Sequence, residues 1–154
     1  MDKFSRICRD IRELKIQGAE AVARAALEAL QSRSDKKAIE TLVGLRPTEP
    51  MLRNALRFAS TDPKFLAKKA LRIFDKAAQD IALMGSGKIG GGMKVFTHCH
   101  SSTVMNILKE SWKHGVKFEV FCTETRPLFQ GRKTAEELAD DGIPVTLLVD
   151  SAAR

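Results

Sequence analysis

The chain has 154 residues, 44% apolar and 29% charged, and its 26 Lys and Arg against 19 Asp and Glu give a formal net charge of +7. That composition suffices for one core or two small ones, and three cysteines (Cys8, Cys99, Cys122) without CxxC spacing argue against a disulfide framework and for a reducing compartment. The longest apolar stretches, such as Val145–Val149, are far too short to span a membrane, and Met1-Asp2-Lys3-Phe4 opens no signal-peptide apolar region, so a cytoplasmic protein without a membrane anchor is expected.

Residues 2 to about 84 read as helices. Phe4, Ile7, Ile11 and Leu14 recur at three- and four-residue spacing and share one face. Gln17-Gly18 interrupts the pattern, and an Ala-rich helix follows over Ala19–Gln31. Ser34-Asp35 can cap a third helix ending near Gly44. Arg46-Pro47-Thr48-Glu49-Pro50 is a loop, and Met51–Ser60 a short helix. In Thr61-Asp62-Pro63, Asp62 is suited to the N-cap and Pro63 to the first helical position. From there Leu66, Ala70, Ile73, Phe74, Ala77 and Ile81 form one stripe to about Met84. Lys and Arg are dispersed along these helices among Asp and Glu. A basic balance suits anionic ligands such as phosphates, but no basic stripe with exposed aromatics is visible, and direct nucleic-acid binding is not expected.

Gly85–Gly92 holds five glycines in eight residues. A phosphate loop needs Ser or Thr after its lysine, whereas Ile89 follows Lys88, so the segment reads as a hinge. Beyond it, Met93–Thr97 is a strand, Ser102–His114 a helix ended by Gly115, and Lys117–Cys122 a strand. Thr134-Ala135-Glu136-Glu137 is a capping box opening a helix to about Asp141, and Val145–Val149 is the third strand. The expected fold is therefore α/β: a helical domain over 1–84, a Gly-rich hinge over 85–92, and over 93–154 the first half of a Rossmann-like parallel sheet, β-α-β-α-β. Right-handed crossovers in sequential order put both helices on one face, leaving the other face and the edge of the first strand bare. A bare apolar edge invites pairing, so a homo-oligomer, a complementary C-terminal half or a related subunit is expected to complete the sheet, and the chain is expected to be incomplete by itself.

Ligands of open α/β sheets bind beyond the carboxyl ends of the strands. Here that place is Thr97-His98-Cys99-His100-Ser101-Ser102-Thr103, between the first strand and the following helix. The helix start offers free N–H groups, and Ser101, Ser102 and Thr103 add hydroxyls, which suits a phosphate monoester; the same residues also suit plain capping. Cys99, between His98 and His100, reads either as an activated nucleophile or general base or as a small buried thiol. His98-x-His100 lacks the further ligands of a metal site, so no metal is expected, and no cofactor is implied. Gln17-Gly18-Ala19 at the helix break, Arg46 with its guanidinium fork, Thr123–Pro127 after the second strand and Asp150 after the third are further candidates, each also compatible with a structural role.

Taken together, the segments THCHS (97–101), TETRP (123–127), GIPV (142–145) and VDSAAR (149–154), with the looser IQGAEAVARAA (16–26) and LRPTEPMLRNALR (45–57), resemble the translation initiation factor 2B α/β/δ family. That family includes archaeal ribose-1,5-bisphosphate isomerase and methylthioribose-1-phosphate isomerase. The resemblance implies a helical domain followed by a Rossmann-like one, usually in dimers or higher assemblies. It implies that Cys99 is a catalytic acid/base residue, that Ser101, Ser102 and Thr103 hold phosphate, and that Gln17, Gly18, Ala19 and Arg46 make further ligand contacts. Two departures weigh against catalysis by this chain. Gln17 stands where the isomerases have arginine, a loss of about 1.5–3 kcal/mol of charge-assisted contact, and their catalytic Asp and an Asn-Lys pair lie beyond residue 154. The reading is a binding and assembly protein of this family with a sugar-phosphate or nucleotide pocket; the alternative is an aldose–ketose isomerase, truncated or split, using Cys99.

Overall fold

Short polar residues start the first helices. In the computed structural model, which describes residues 1–153, Asp2 accepts a hydrogen bond from the Ser5 amide at 2.8 Å and opens α1 (Lys3–Arg12). Arg154, the last residue of the VDSAAR segment, lies outside the described residues. α1 ends where Leu14 (φ 60°) enters the left-handed region, and Gly18, at φ 91°, starts α2 (Ala19–Ser32). Asp35 caps α3 (Lys36–Leu45) through the Ala38 amide at 3.0 Å. Pro50 occupies the first turn of α4 (Pro50–Ala59), and Asp62 accepts from the Phe65 amide at the start of α5 (Pro63–Ser86).

The chain divides into two units, Met1–Asp75 and Lys76 onward, and α5 runs across the division. The core of the first unit follows the apolar spacing: Ile11, Leu27, Leu30, Leu42, Leu52 and Leu56 are fully buried in a single cluster. Each such side chain contributes about 1.5–3 kcal/mol of transfer free energy.

In the second unit the chain runs through β1 (Lys94–Thr97), α6 (Ser102–Lys113), β2 (Glu119–Thr123), α7 (Gln130–Asp140), β3 (Val145–Leu148) and a 3-10 turn (Asp150–Ala152). The strands are parallel in the order β1-β2-β3, with Val95, Val120 and Val145 in one row and Phe96, Phe121 and Thr146 in the next. This is the α/β architecture the sequence pattern predicts, helices first and β-α-β-α-β after. Val120 is buried in one cluster with Met105 and Leu108 of α6 and Leu138 of α7, so both helices cover the same face. The row containing Phe96 lies on the other face, and Phe96 is 54% exposed.

Leu14, expected on the face of Phe4, Ile7 and Ile11, instead lies past the end of α1 and is exposed, and an expected helix start also fails. Thr134 does not cap α7: the helix begins four residues earlier, at Gln130, and Thr134 is buried inside it. The physical reason is the approach of the helix to β2. Phe129 turns the chain at φ 55°, and Gly131 then lies so close to β2 that a β-carbon on it would fall 1.6 Å from the Thr123 carbonyl oxygen. Only glycine fits there. Thr134, one turn on, finds its hydroxyl partner in another loop instead of at a helix start.

Candidate functional site

The carboxyl ends of the three parallel strands meet at one rim, and a network of hydroxyl and backbone bonds fixes its shape. Cys99, two residues past β1, sits at φ 66°. A cysteine adopts that conformation only at an energetic cost, and here the surrounding bonds hold it. Its amide donates to Thr125 Oγ1 at 2.8 Å, and its carbonyl accepts from Thr134 Oγ1 at 2.9 Å. Thr125 Oγ1 in turn donates to the Thr123 carbonyl at 3.2 Å. The backbone of Cys99 is thus gripped from β2's loop on one side and from α7 on the other, while its side chain stays partly open to solvent.

The two histidines flanking it diverge. His98 Nδ1 lies within 2.5 Å of Thr123 Oγ1, whereas His100 Nδ1 faces Thr134 Oγ1 at 3.1 Å and its Nε2 lies 3.8 Å from Glu137. Burial, then the positive charge of Lys133, push the His100 imidazole below its ordinary 6.5, which favours the neutral ring. Ser101 caps α6 by accepting from the Val104 amide, and Ser102 and Thr103 lie exposed in the first helical turn.

Asp150, past the end of β3, accepts from the Thr125 and Arg126 amides at 2.7 and 2.8 Å. The Arg126 amide, first among these contacts, holds its carboxyl below the usual carboxylate range. Glu124 is buried and carries one guanidinium on each oxygen, Arg126 at 2.7 Å and Arg132 at 3.1 Å, and the bond from Arg126 is the main cause of its lowered pKa. Both guanidiniums also lie against the Phe129 ring, Arg132 at 4.0 Å and Arg126 at 5.3 Å. Of the four non-glycine residues at positive φ among the described residues, Cys99, Thr125 and Phe129 belong to this rim.

The remaining candidates lie in the first unit. Gln17 Nε2 donates to the Leu14 carbonyl at 2.6 Å, Gly18 supplies the positive φ of the helix break, and Ala19 is the first residue of α2. Arg46, half-buried past α3, donates from Nη2 to the Ile11 carbonyl at 3.2 Å. Gln17 and Arg46 therefore both serve carbonyls at the end of α1, where donors and positive charge are favoured. Sequence reasoning missed Thr134, Gly131 and the role of Thr125. Thr134 was hidden by the capping-box pattern, and Gly131 gives no local signal because its close neighbour is eight residues away on β2.

Comparison with known proteins gives this geometry a lineage. The Initiation factor 2 subunit family matches residues 15–154, and the chain belongs to it. The ribose 1,5-bisphosphate isomerase of Thermococcus kodakarensis is 35% identical over 179 residues, covering 96% of this chain and 56% of that protein. The methylthioribose-1-phosphate isomerase of Citrobacter koseri is also 35% identical, over 93% of this chain and 49% of its own length. Among solved structures, the translation initiation factor eIF-2B of Pyrococcus horikoshii OT3 superposes with a TM-score of 0.90 at 26% identity, covering 98% of this chain and 61% of that one. The tetrameric eIF2B-beta2-delta2 complex of C. thermophilum shares the fold, with a TM-score of 0.75 at 17% identity. The chain thus spans about half the length of the relatives it matches. Among the described residues no helix is long and apolar enough to cross a membrane.

Proposed function

We propose that this chain is a binding and assembly subunit of the Initiation factor 2 subunit family that takes a phosphorylated sugar or nucleotide at the strand-tip rim. The observation that carries the reading is the clamped Cys99 backbone, held at φ 66° by Thr125 and Thr134 directly before the exposed first turn of α6. In this reading Ser101, Ser102 and Thr103 offer the phosphate amides and hydroxyls at a helix start. The exposed Phe96 side of the sheet is then the surface that another copy, a related subunit or a complementary C-terminal half covers.

A second reading, aldose–ketose isomerisation of a sugar phosphate, is favoured by the 35% identity to two isomerases and by the half-open thiol of Cys99. Such a reaction moves protons at two neighbouring atoms. Cys99 supplies one group. Asp150, on the same rim, is occupied by two amides and held ionised, so it is a poor proton donor. Such a reaction therefore needs a second proton-transfer group besides Cys99 and Asp150.

Titration calorimetry of the purified chain with ribose 1,5-bisphosphate tests both. Saturable binding that weakens in Ser102→Asp, without turnover, supports the binding subunit. Turnover that disappears in Cys99→Ser while binding persists supports the isomerase. No binding of this sugar phosphate or of a nucleoside monophosphate sinks both.

A further inference from the structure

The two histidines beside Cys99 are tied alike but end differently. His100 is partly buried. Its Nδ1 meets Thr134 Oγ1 at 3.1 Å, its Nε2 lies 3.8 Å from Glu137, and Thr134 donates its own proton to the Cys99 carbonyl. Both ring nitrogens are thus taken up by α7. His98 is exposed. Its Nδ1 lies within 2.5 Å of Thr123 Oγ1, and among the described residues its Nε2 has no hydrogen-bond or ion-pair partner.

The partner of His98 Nδ1 is itself fixed. Thr123 is fully buried at the end of β2, and its carbonyl accepts from Thr125 Oγ1 at 3.2 Å. Asp150, past the end of β3, has one carboxylate oxygen on the Thr125 amide at 2.7 Å and the other on the Arg126 amide at 2.8 Å. The Arg126 amide first, then the Thr125 amide and the Thr123 hydroxyl, hold that carboxyl below its usual range. An ionised carboxylate only accepts, so the Thr123 hydroxyl gives its one proton to Asp150 and accepts from His98 Nδ1–H. The neutral ring then presents Nε2 as a bare acceptor.

We propose, resting on the phosphate reading of this rim, that His98 determines specificity there: its Nε2 accepts the hydrogen of a sugar hydroxyl on the ligand whose phosphate sits at the start of α6, with Thr123 and Asp150 as positioning residues. Phosphate oxygens carry lone pairs and are poor partners for a bare acceptor, whereas a hydroxyl supplies the missing donor. Three residues separate His98 from Ser101, at most about 11 Å of extended chain, so one small ligand reaches both. The amides and hydroxyls at the α6 start bind any phosphate monoester alike. His98 makes the rim prefer a hydroxylated one, because a site built to pair a hydroxyl discriminates against an analogue that lacks it.

The test is titration calorimetry of the full chain with ribose 1,5-bisphosphate and with pentane-1,5-diyl bisphosphate, which has the same two phosphates and no hydroxyl. The chain is expected to bind the sugar more tightly, by about tenfold. His98→Asn keeps a donor for Thr123 in place of Nδ1 but removes Nε2. It is expected to lose that preference by weakening the sugar alone, with the urea midpoint unchanged. Thr123→Val frees the ring and is expected to weaken the sugar as well, and Thr123→Ser to restore it. Equal affinity of the wild-type chain for the two bisphosphates overturns the assignment while leaving the phosphate site standing. So does a preference that survives His98→Asn, or a variant that weakens both ligands alike. Unchanged binding in His98→Asn with an altered rate of Cys99 alkylation by iodoacetamide reassigns the imidazole to the thiol. Binding of neither bisphosphate overturns the phosphate reading, and this role of His98 with it.

Discussion

The helical unit and the strand-tip rim are built on opposite terms. In the helical unit, the helix-starting hydrogen bonds join residues three apart: Asp2 to Ser5, Asp35 to Ala38, Asp62 to Phe65. At the rim the bonds that shape the site span 25 to 35 residues: His98 to Thr123, Cys99 to Thr125, Cys99 to Thr134. The first kind of order is specified by neighbours along the chain. The second exists only once β1, β2 and α7 are side by side, and it holds three non-glycine residues in conformations they would otherwise avoid. A glycine substitution should therefore have opposite consequences in the two regions.

The largest effect is expected from Gly131→Ala. Its new methyl would sit 1.6 Å from the Thr123 carbonyl oxygen, backbone against backbone, with no flexible side chain to yield. α7 must lift from β2, which lengthens the hydrogen bond that the Gly131 amide donates to the Glu124 carbonyl and shifts Thr134 away from Cys99. Destabilisation of about 3 kcal/mol is expected, read as a fall in the urea midpoint, together with weakened sugar-phosphate binding. A change under about 0.5 kcal/mol would mean that α7 does not press on β2 as described.

Thr134→Val comes next. It keeps the shape but removes the hydroxyl, leaving the Cys99 carbonyl and His100 Nδ1 without that partner. A loss of about 2 kcal/mol is expected, with Thr134→Ser recovering most of it. If Thr134 were a helix cap, Thr134→Asp would be neutral, since Asp caps at least as well. As a buried neighbour of a carbonyl it should be worse than Val. This residue marks where the sequence stops being legible. Thr-Ala-Glu-Glu has the local grammar of a helix start, and only the approach of Gly131 to β2, invisible to any window of neighbouring residues, moves that start back to Gln130. The THCHS and TETRP segments could be singled out because they follow apolar strands. That Thr125 and Thr134 grip the same residue from two sides could not, because the pairing depends on strand register.

The smallest effect is expected from Gly44→Ala, and its sign is reversed. Gly44 lies inside α3, a β-carbon added there meets nothing within 4 Å, and its φ is not in the left-handed region. Alanine would then restrict only the unfolded chain and favour the helix, raising stability by about 0.5–1 kcal/mol. The measurement is the urea midpoint at an unchanged m-value. A loss of stability here would show that α3 is governed by some close approach, as the rim is, and that the helical unit is less a product of local propensity than its capping pattern implies. A gain, set beside the loss at Gly131, would place the boundary between the two kinds of order within one chain and with one kind of mutation.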